Sequence, residues 1–248
     1  IDPDKIRRAI TDKTKAIMPV HLTGRIADTH AILKIADAKD IPVIEDAAQS
    51  IGSLYSGIPS GSLGKIGCFS AHPLKNLNAC GDAGFLTTDD EYIAKQVRLS
   101  RNNGLSDRNT VEQFGYVSRM DALQAAILEY RLSRLAQVIE KRRKNADMYR
   151  ELLNSSQIHI PEEREEEFNT YHTFVIQCDK RNELKRYLMK QGIETAIHYP
   201  VPIHLQPAAS HLGYYKGDFP VTETQMERIL AIPIHQYLQE ETIYHISD

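Results

Sequence analysis

Residues 14–50, TKAIMPVHLTGRIADTHAILKIADAKDIPVIEDAAQS, decide the fold. Residues 14–20 form a short apolar run of strand type. Residues 28–38 place Ile32, Ile35 and Ala36 at helical spacing. IPVIEDAAQS begins with a strand of the buried type at 41–45, opening on the compact apolar run IPVI. Just upstream, Asp2 and Pro3 precede DKIRRAI, an N-cap acid and a first-turn proline opening an amphipathic helix. The order is helix, strand, helix, strand with short connections, which predicts a parallel sheet with right-handed crossovers. The same pattern continues outward, with strands predicted at 66–71 and 83–88 and a helix at 90–100.

The chain has 248 residues, enough for one large domain or two ordinary ones. Apolar residues make up 42% and charged residues 25%, the composition of a folded globular protein. Thirty basic against thirty-three acidic residues give a net charge of −3. That excludes a global basic field for nucleic acid or an anionic membrane. No apolar run reaches the roughly 18–20 residues of a membrane span. The N-terminus has no signal-peptide pattern, although a start at Ile1 without Met suggests a fragment. Cys68, Cys80 and Cys178 are too few and too scattered for a disulfide framework, so a cytoplasmic location is expected. The ten histidines show no HExxH or Cys-cluster spacing, so no metal is expected. No GxGxxG occurs, against a dinucleotide site.

Residues 118–153 read as one long helix, with Leu123, Ile127, Leu128, Leu132, Leu135 and Ile139 on one face. Ser118 with Asp121 forms a start resembling a capping box. The charged PEEREEE stretch from Pro161 reads as a solvated loop. A strand at 169–178, a helix at 180–191 and a strand at 193–198 then predict a small α+β unit. The expected division is 1–130 for the larger domain and 131–248 for the long helix and the smaller domain.

Ligands of open parallel sheets bind beyond the carboxyl ends of the strands. Three such ends carry reactive residues: His21; Asp46 with Gln49; and Ser70, His72 and Lys75. An acid directly after IPVI needs a cation or donor if it is buried, although it could equally cap the next helix. Lys75 stands before a segment rich in Asn, Gly and small residues, which permits close backbone approach to a ligand. A partly desolvated lysine can lose its proton and form a Schiff base. Paired with a carboxylate that would hold a pyridine nitrogen cationic, it suggests pyridoxal phosphate chemistry.

The segments IEDAAQS, FSAHPLKNLNACGDAG, GYVSRMDALQAAIL, HYPVPIHLQPA and GDFPVTE resemble, in order and along essentially the whole chain, the DegT/DnrJ/EryC1/StrS family. These are pyridoxal-phosphate-dependent sugar aminotransferases of fold-type I. The resemblance implies an α/β fold: part of a large, mostly parallel sheet domain plus a small C-terminal α+β domain. It implies Lys75 as the Schiff-base lysine and proton carrier, and Asp46 at the pyridine nitrogen. It implies Gln49 at the phenolic oxygen and Ser70 at the phosphate of pyridoxal 5'-phosphate. His21, His198 and Tyr199 would line the substrate side. It also implies a homodimer, a nucleotide-linked deoxysugar acceptor, glutamate as amino donor and a setting in polysaccharide biosynthesis.

Two departures stand out. Val117 occupies the place of an Asn that in many relatives reaches the neighbouring subunit's phosphate. Family members also carry an N-terminal region, with a phosphate-binding helix, ahead of the first segment present here. The alternatives are a non-catalytic truncated relative and an aminotransferase acting on a cyclitol. The family's dehydratase branch has a histidine in place of the lysine, and Lys75 argues against it.

Overall fold

The computed structural model describes all 248 residues and divides into two compact units. The first comprises residues 1–139 and 164–172, the second 140–163 and 173–248. The expected division after residue 130 falls inside a helix. The units separate nine residues later, and the 164–172 segment returns to the first unit.

The first unit opens with α1 (Pro3–Ala9), capped by the Asp2 carboxylate on the Asp4 and Lys5 N–H groups. Next, α2 (Thr29–Asp37) is capped by Asp28 on the Ala31 N–H. It buries Ile32, Ile35 and Ala36 against Ile6, Ile17 and Val43. Each fully buried Ile or Val side chain contributes about 1.5–3 kcal/mol. The following strands are β1 (Ile44–Asp46), β2 (Leu54–Tyr55), β3 (Ile58–Pro59), β4 (Ile66–Ser70) and β5 (Gly84–Thr87).

β1 pairs in parallel with β4 and, on its other edge, with residues 17–21. The predicted strand at 14–20 is present only as isolated bridges, Ile17 to Val43 and Val20 to Asp46. The cause is Pro19. Ile17 N–H donates to Pro42 O, Ile44 N–H to Ile17 O and Asp46 N–H to Pro19 O. Pro19 has no N–H to continue the ladder toward Ile44 O. β5 is antiparallel to β4, a departure from the parallel expectation. The intervening residues 71–83 contain no helix, so they lack the usual crossover for a parallel return.

Behind this sheet two glycines meet. A Cβ on Gly67 would lie 2.3 Å from the Gly61 Cα, and one on Gly61, where φ is +82°, would lie 2.4 Å from the Phe69 ring. Thr87 Oγ1 donates to Gly61 O at 2.5 Å across this seam.

The helix α3 (Glu91–Ser100) is capped by Asp90. The single long helix read from the sequence is two, α4 (Ala122–Leu132) and α5 (Leu135–Leu152). The break falls at Ser133, whose hydroxyl donates back to Tyr130 O at 2.7 Å. Ser118 is not the cap; α4 begins after Asp121, and Ser118 N–H donates to Arg101 O. β6 (Glu167–Phe168) pairs with β2 and so joins the first unit. Glu167, read as loop, is buried and paired with Arg25 at 2.9 Å.

The second unit contains β7 (Phe174–Gln177), α6 (Arg181–Lys190), α7 (Pro220–Arg228), β8 (Ile229–Ile232) and α8 (Glu240–Ser247). β7 and β8 are antiparallel, and β8 is buried along its whole length. The predicted strand at 193–198 reduces to one bridge, Ala196 to Ala231.

Candidate active site

β1 and β4 run side by side in parallel, with Asp46 opposite Cys68 and β4 continuing two residues further to Ser70. This places Asp46 and Ser70 at one end of the sheet. The Asp46 carboxylate accepts the Ala48 N–H at 3.1 Å, which orients it at the strand terminus. A cleft of about 200 Å³ opens there, lined by Met18, Asp46, Ala48, Cys68, Phe69 and Ser70, with Glu45 beneath. Gln49 follows in the next turn. Its Oε1 accepts the Thr23 N–H at 2.7 Å, which settles the amide orientation and leaves both Nε2 protons to donate. Ser70 Oγ accepts the His72 N–H at 3.3 Å and keeps its own proton to give.

Lys75 sits in the loop after β4, half-buried, its N–H on His72 O at 2.9 Å. It lies beyond the cleft wall but within electrostatic reach of Asp46. Burial pushes its amine below the ordinary lysine value, and the Asp46 charge opposes the shift. Burial, with Asp46 and then Glu45 adding to it, pushes the Cys68 thiol up and keeps it protonated and unreactive.

This donor set fits pyridoxal phosphate. It offers an acceptor-only carboxylate for a pyridinium nitrogen and an amide N–H pair for a phenolate oxygen. It also offers a hydroxyl for phosphate and an amine of lowered basicity for the aldehyde carbon.

His21 differs from its expected place on the substrate side. It is fully buried, and both ring nitrogens are taken: Nδ1 by the Ala27 N–H at 3.2 Å and Nε2 by Glu45 at 2.9 Å. Because Nδ1 accepts, the proton is on Nε2 and the ring is neutral. It presents no group to a substrate.

Glu45 is the residue that the sequence reading missed. Its carboxylate, fully buried, accepts His21 Nε2 and Gly61 N–H on one oxygen, and Leu63 and Gly64 N–H on the other, at 2.6–2.9 Å. Burial alone would raise its pKa, but the bonds from His21, Gly64 and Gly61 together hold it below the usual carboxylate value. The available signal was a second acid inside an apolar strand, IPVIED, which requires buried donors.

His72 is exposed and accepts the Leu74 N–H at 3.2 Å, a spacer in the turn. His198 is half-buried with Nδ1 lacking a hydrogen-bond partner, and Tyr199 is exposed. Both belong to the second unit, whereas Asp46, Gln49, Ser70 and Lys75 belong to the first. Val117 and Arg119 are exposed; Val117 forms an antiparallel bridge with Asn102.

Comparison with known proteins gives the same picture. The chain is 41% identical to the pleiotropic regulatory protein of Geobacillus stearothermophilus, covering all of this chain and 68% of the relative. It is 40% identical to the UDP-N-acetyl-3-dehydro-α-D-glucosamine 3-aminotransferase of Acidithiobacillus ferrooxidans, covering 98% and 65%. The chain therefore spans about two thirds of the length of these relatives. Its fold matches a crystal structure of S. venezuelae DesV with a TM-score of 0.97 at 35% identity, over all of this chain and 67% of that one. The aminotransferases of this group depend on pyridoxal phosphate. The model of the DegT/DnrJ/EryC1/StrS aminotransferase family matches residues 1–248 without interruption, and the chain belongs to that family.

Proposed function

We infer that the protein transfers an amino group from an amino acid, with glutamate the first donor to test, to a keto group of a nucleotide-linked sugar. The observation that carries this reading is the set of Asp46, Gln49, Ser70 and Lys75 around the ends of β1 and β4. The named sugar aminotransferase among the relatives supports the acceptor class and puts 3-keto sugars first.

Bound pyridoxal phosphate supplies the electron sink for such a transfer. Asp46 would hold positive charge at the ring nitrogen, Gln49 would donate from Nε2 to the ring oxygen, and Ser70 would donate its hydroxyl proton to the phosphate. Lys75 would hold the cofactor through its amine, and that amine, when free, would serve as the proton-carrying group of the site. His198 and Tyr199 are assigned to substrate contact on the family resemblance. His21 is assigned instead to support Glu45 behind β1. Amino donor and keto acceptor react in turn, so double-displacement kinetics follow.

Addition of pyridoxal phosphate, borohydride reduction and peptide mapping test this assignment. A stable adduct is expected on Lys75, together with glutamate-dependent amination of a nucleotide-linked 3-keto sugar. Absence of the adduct in the full-length protein would leave the non-catalytic reading in its place.

The reading extends to a homodimer in the cytoplasm. Phe114, Tyr116, Val117, Leu123, Tyr130 and Leu132 are all more than half exposed, and a second copy would cover them. Leu123→Glu is expected to shift the sedimentation coefficient from dimer to monomer; an unchanged value removes this face from the interface. Three unpaired cysteines suit a reducing compartment. No helix is long and apolar enough to cross a membrane.

A further inference from the structure

The loop that carries Lys75 is held from two directions. On one side Asn76, buried, donates from Nδ2 to Thr170 O at 2.9 Å. On the other side α4 grips the loop at two points. Gln124 accepts the Cys80 N–H at 2.8 Å. Arg131 donates through one guanidinium nitrogen to Asn78 O at 2.7 Å, to Asn78 Oδ1 and to Ala79 O at 3.4 Å. Gln124 and Arg131 are seven residues apart, two helical turns, and so share one face of α4. Asn78 passes the grip on: with its Oδ1 held by Arg131, its Nδ2 donates to the backbone carbonyl of Lys75 at 2.8 Å.

The chain of contacts thus runs from a guanidinium on a helix, through one amide side chain, to the main chain of the proposed cofactor lysine. A charged donor on the amide oxygen strengthens the amide N–H as a donor in turn. Arg suits this place better than Lys because, with one terminal nitrogen on the Asn78 and Ala79 oxygens, the other arm of the fork reaches Cys80 Sγ at 3.9 Å.

We propose that Arg131 is a positioning residue for Lys75, acting through Asn78 to hold the Lys75 backbone while its side chain swings. The proposal rests on the aminotransferase reading for its kinetic consequence but not for its geometry. Lys75 must serve both halves of the transfer from one anchored backbone. Loosening the anchor therefore affects donor and acceptor halves alike.

Two variants of the full-length protein test it. Arg131→Met removes the fork and keeps the aliphatic stem. Asn78→Asp keeps a partner for Arg131 but replaces the donor on Lys75 O with a second acceptor. In both, each half-reaction is expected to slow by about ten- to a hundred-fold, the scale of a misplacement of about an ångström. Without any cofactor, the pH midpoint of Lys75 acetylation, followed by peptide mass, is expected to move up toward the ordinary lysine value as water reaches the amine. Arg131→Lys should recover part of both effects.

A purely structural Arg131 would lower the melting temperature and leave the acetylation midpoint where it is. If a folded variant keeps the wild-type midpoint, or slows only one half-reaction, the proposal is overturned. Should Arg131→Met fail to fold, Asn78→Asp decides. Should wild-type Lys75 take no cofactor, the aminotransferase reading fails by itself, and the cofactor-free midpoint still decides the positioning claim.

Discussion

Lys75→Arg is expected to abolish amino transfer while leaving the fold intact. Arginine keeps the charge and much of the length, and at a half-buried position it fits with modest adjustment. It does not lose its proton at any working pH, so it can neither attack the cofactor's aldehyde nor carry a proton. Removing a positioned acid–base group costs about 10²–10⁴-fold, and loss of covalent attachment adds to that. The measurement is single-turnover amination with glutamate, alongside borohydride trapping and circular dichroism. Turnover within tenfold of wild type by a folded variant would remove Lys75 from the chemistry. The wild type also carries a pH signature. Its amine is depressed by burial, with the Asp46 charge opposing. The neutral, reactive form therefore exists above a lowered pKa. Cofactor capture by the apoprotein should rise with pH and level off below the ordinary lysine value of about 10.4.

Glu45→Gln is expected to destabilise the first unit by about 3 kcal/mol, the scale of leaving buried donors of a fully hydrogen-bonded carboxylate unpaired. Gln offers one acceptor oxygen and one NH₂ where the carboxylate accepts four donors. Its NH₂ would face either the Leu63 and Gly64 N–H groups or the Gly61 N–H and His21 Nε2. For a chain of this size the loss corresponds to roughly 6–12 °C in Tm. The sign with pH follows from the depressed carboxylate. Its stabilisation is complete above the unfolded-state value of about 4.3 and is lost as pH falls through the lower folded value. The gap between wild type and variant in thermal melts should therefore be widest at neutral pH and narrow as pH falls below the ordinary carboxylate value of about 4.3. A gap independent of pH would show that the carboxylate's charge contributes nothing. Since Glu45 immediately precedes Asp46, the variant should also weaken cofactor binding.

The same two positions show what the sequence could disclose. Lys75 stands out in the sequence because a lysine between a strand and a run of small residues is unusual, and because five ordered segments match one family; its role is the one proposed above. The role of Glu45 was hidden, since its partners lie at 21, 61, 63 and 64 and meet it only after β1, β4 and the loop between them assemble. His21 was misplaced for the same reason: a histidine at a strand end looks solvent-facing until its buried acid is known. Helix α1 was readable from its Asp cap and first-turn proline, and α2 from its periodic apolar residues. The break between α4 and α5 was not, because Ser133-Arg134 contains neither Gly nor Pro and the apolar spacing continues through it. Pro19, by contrast, lay in plain view; the missing donor it brings was enough to reduce a predicted strand to two bridges.

The glycine pair at 61 and 67 bears on how positions in this protein should be ranked. Neither residue has a side chain to offer a ligand, and the Gly61 N–H is one of the four donors on Glu45. Any side chain there collides with main chain or with the Phe69 ring, and the disturbance reaches the Asp46 strand through Glu45. A survey that orders positions by intolerance to replacement would therefore set this seam beside Lys75. Intolerance at Lys75 would mark the chemistry proposed for it; at the glycine seam it marks the absence of space.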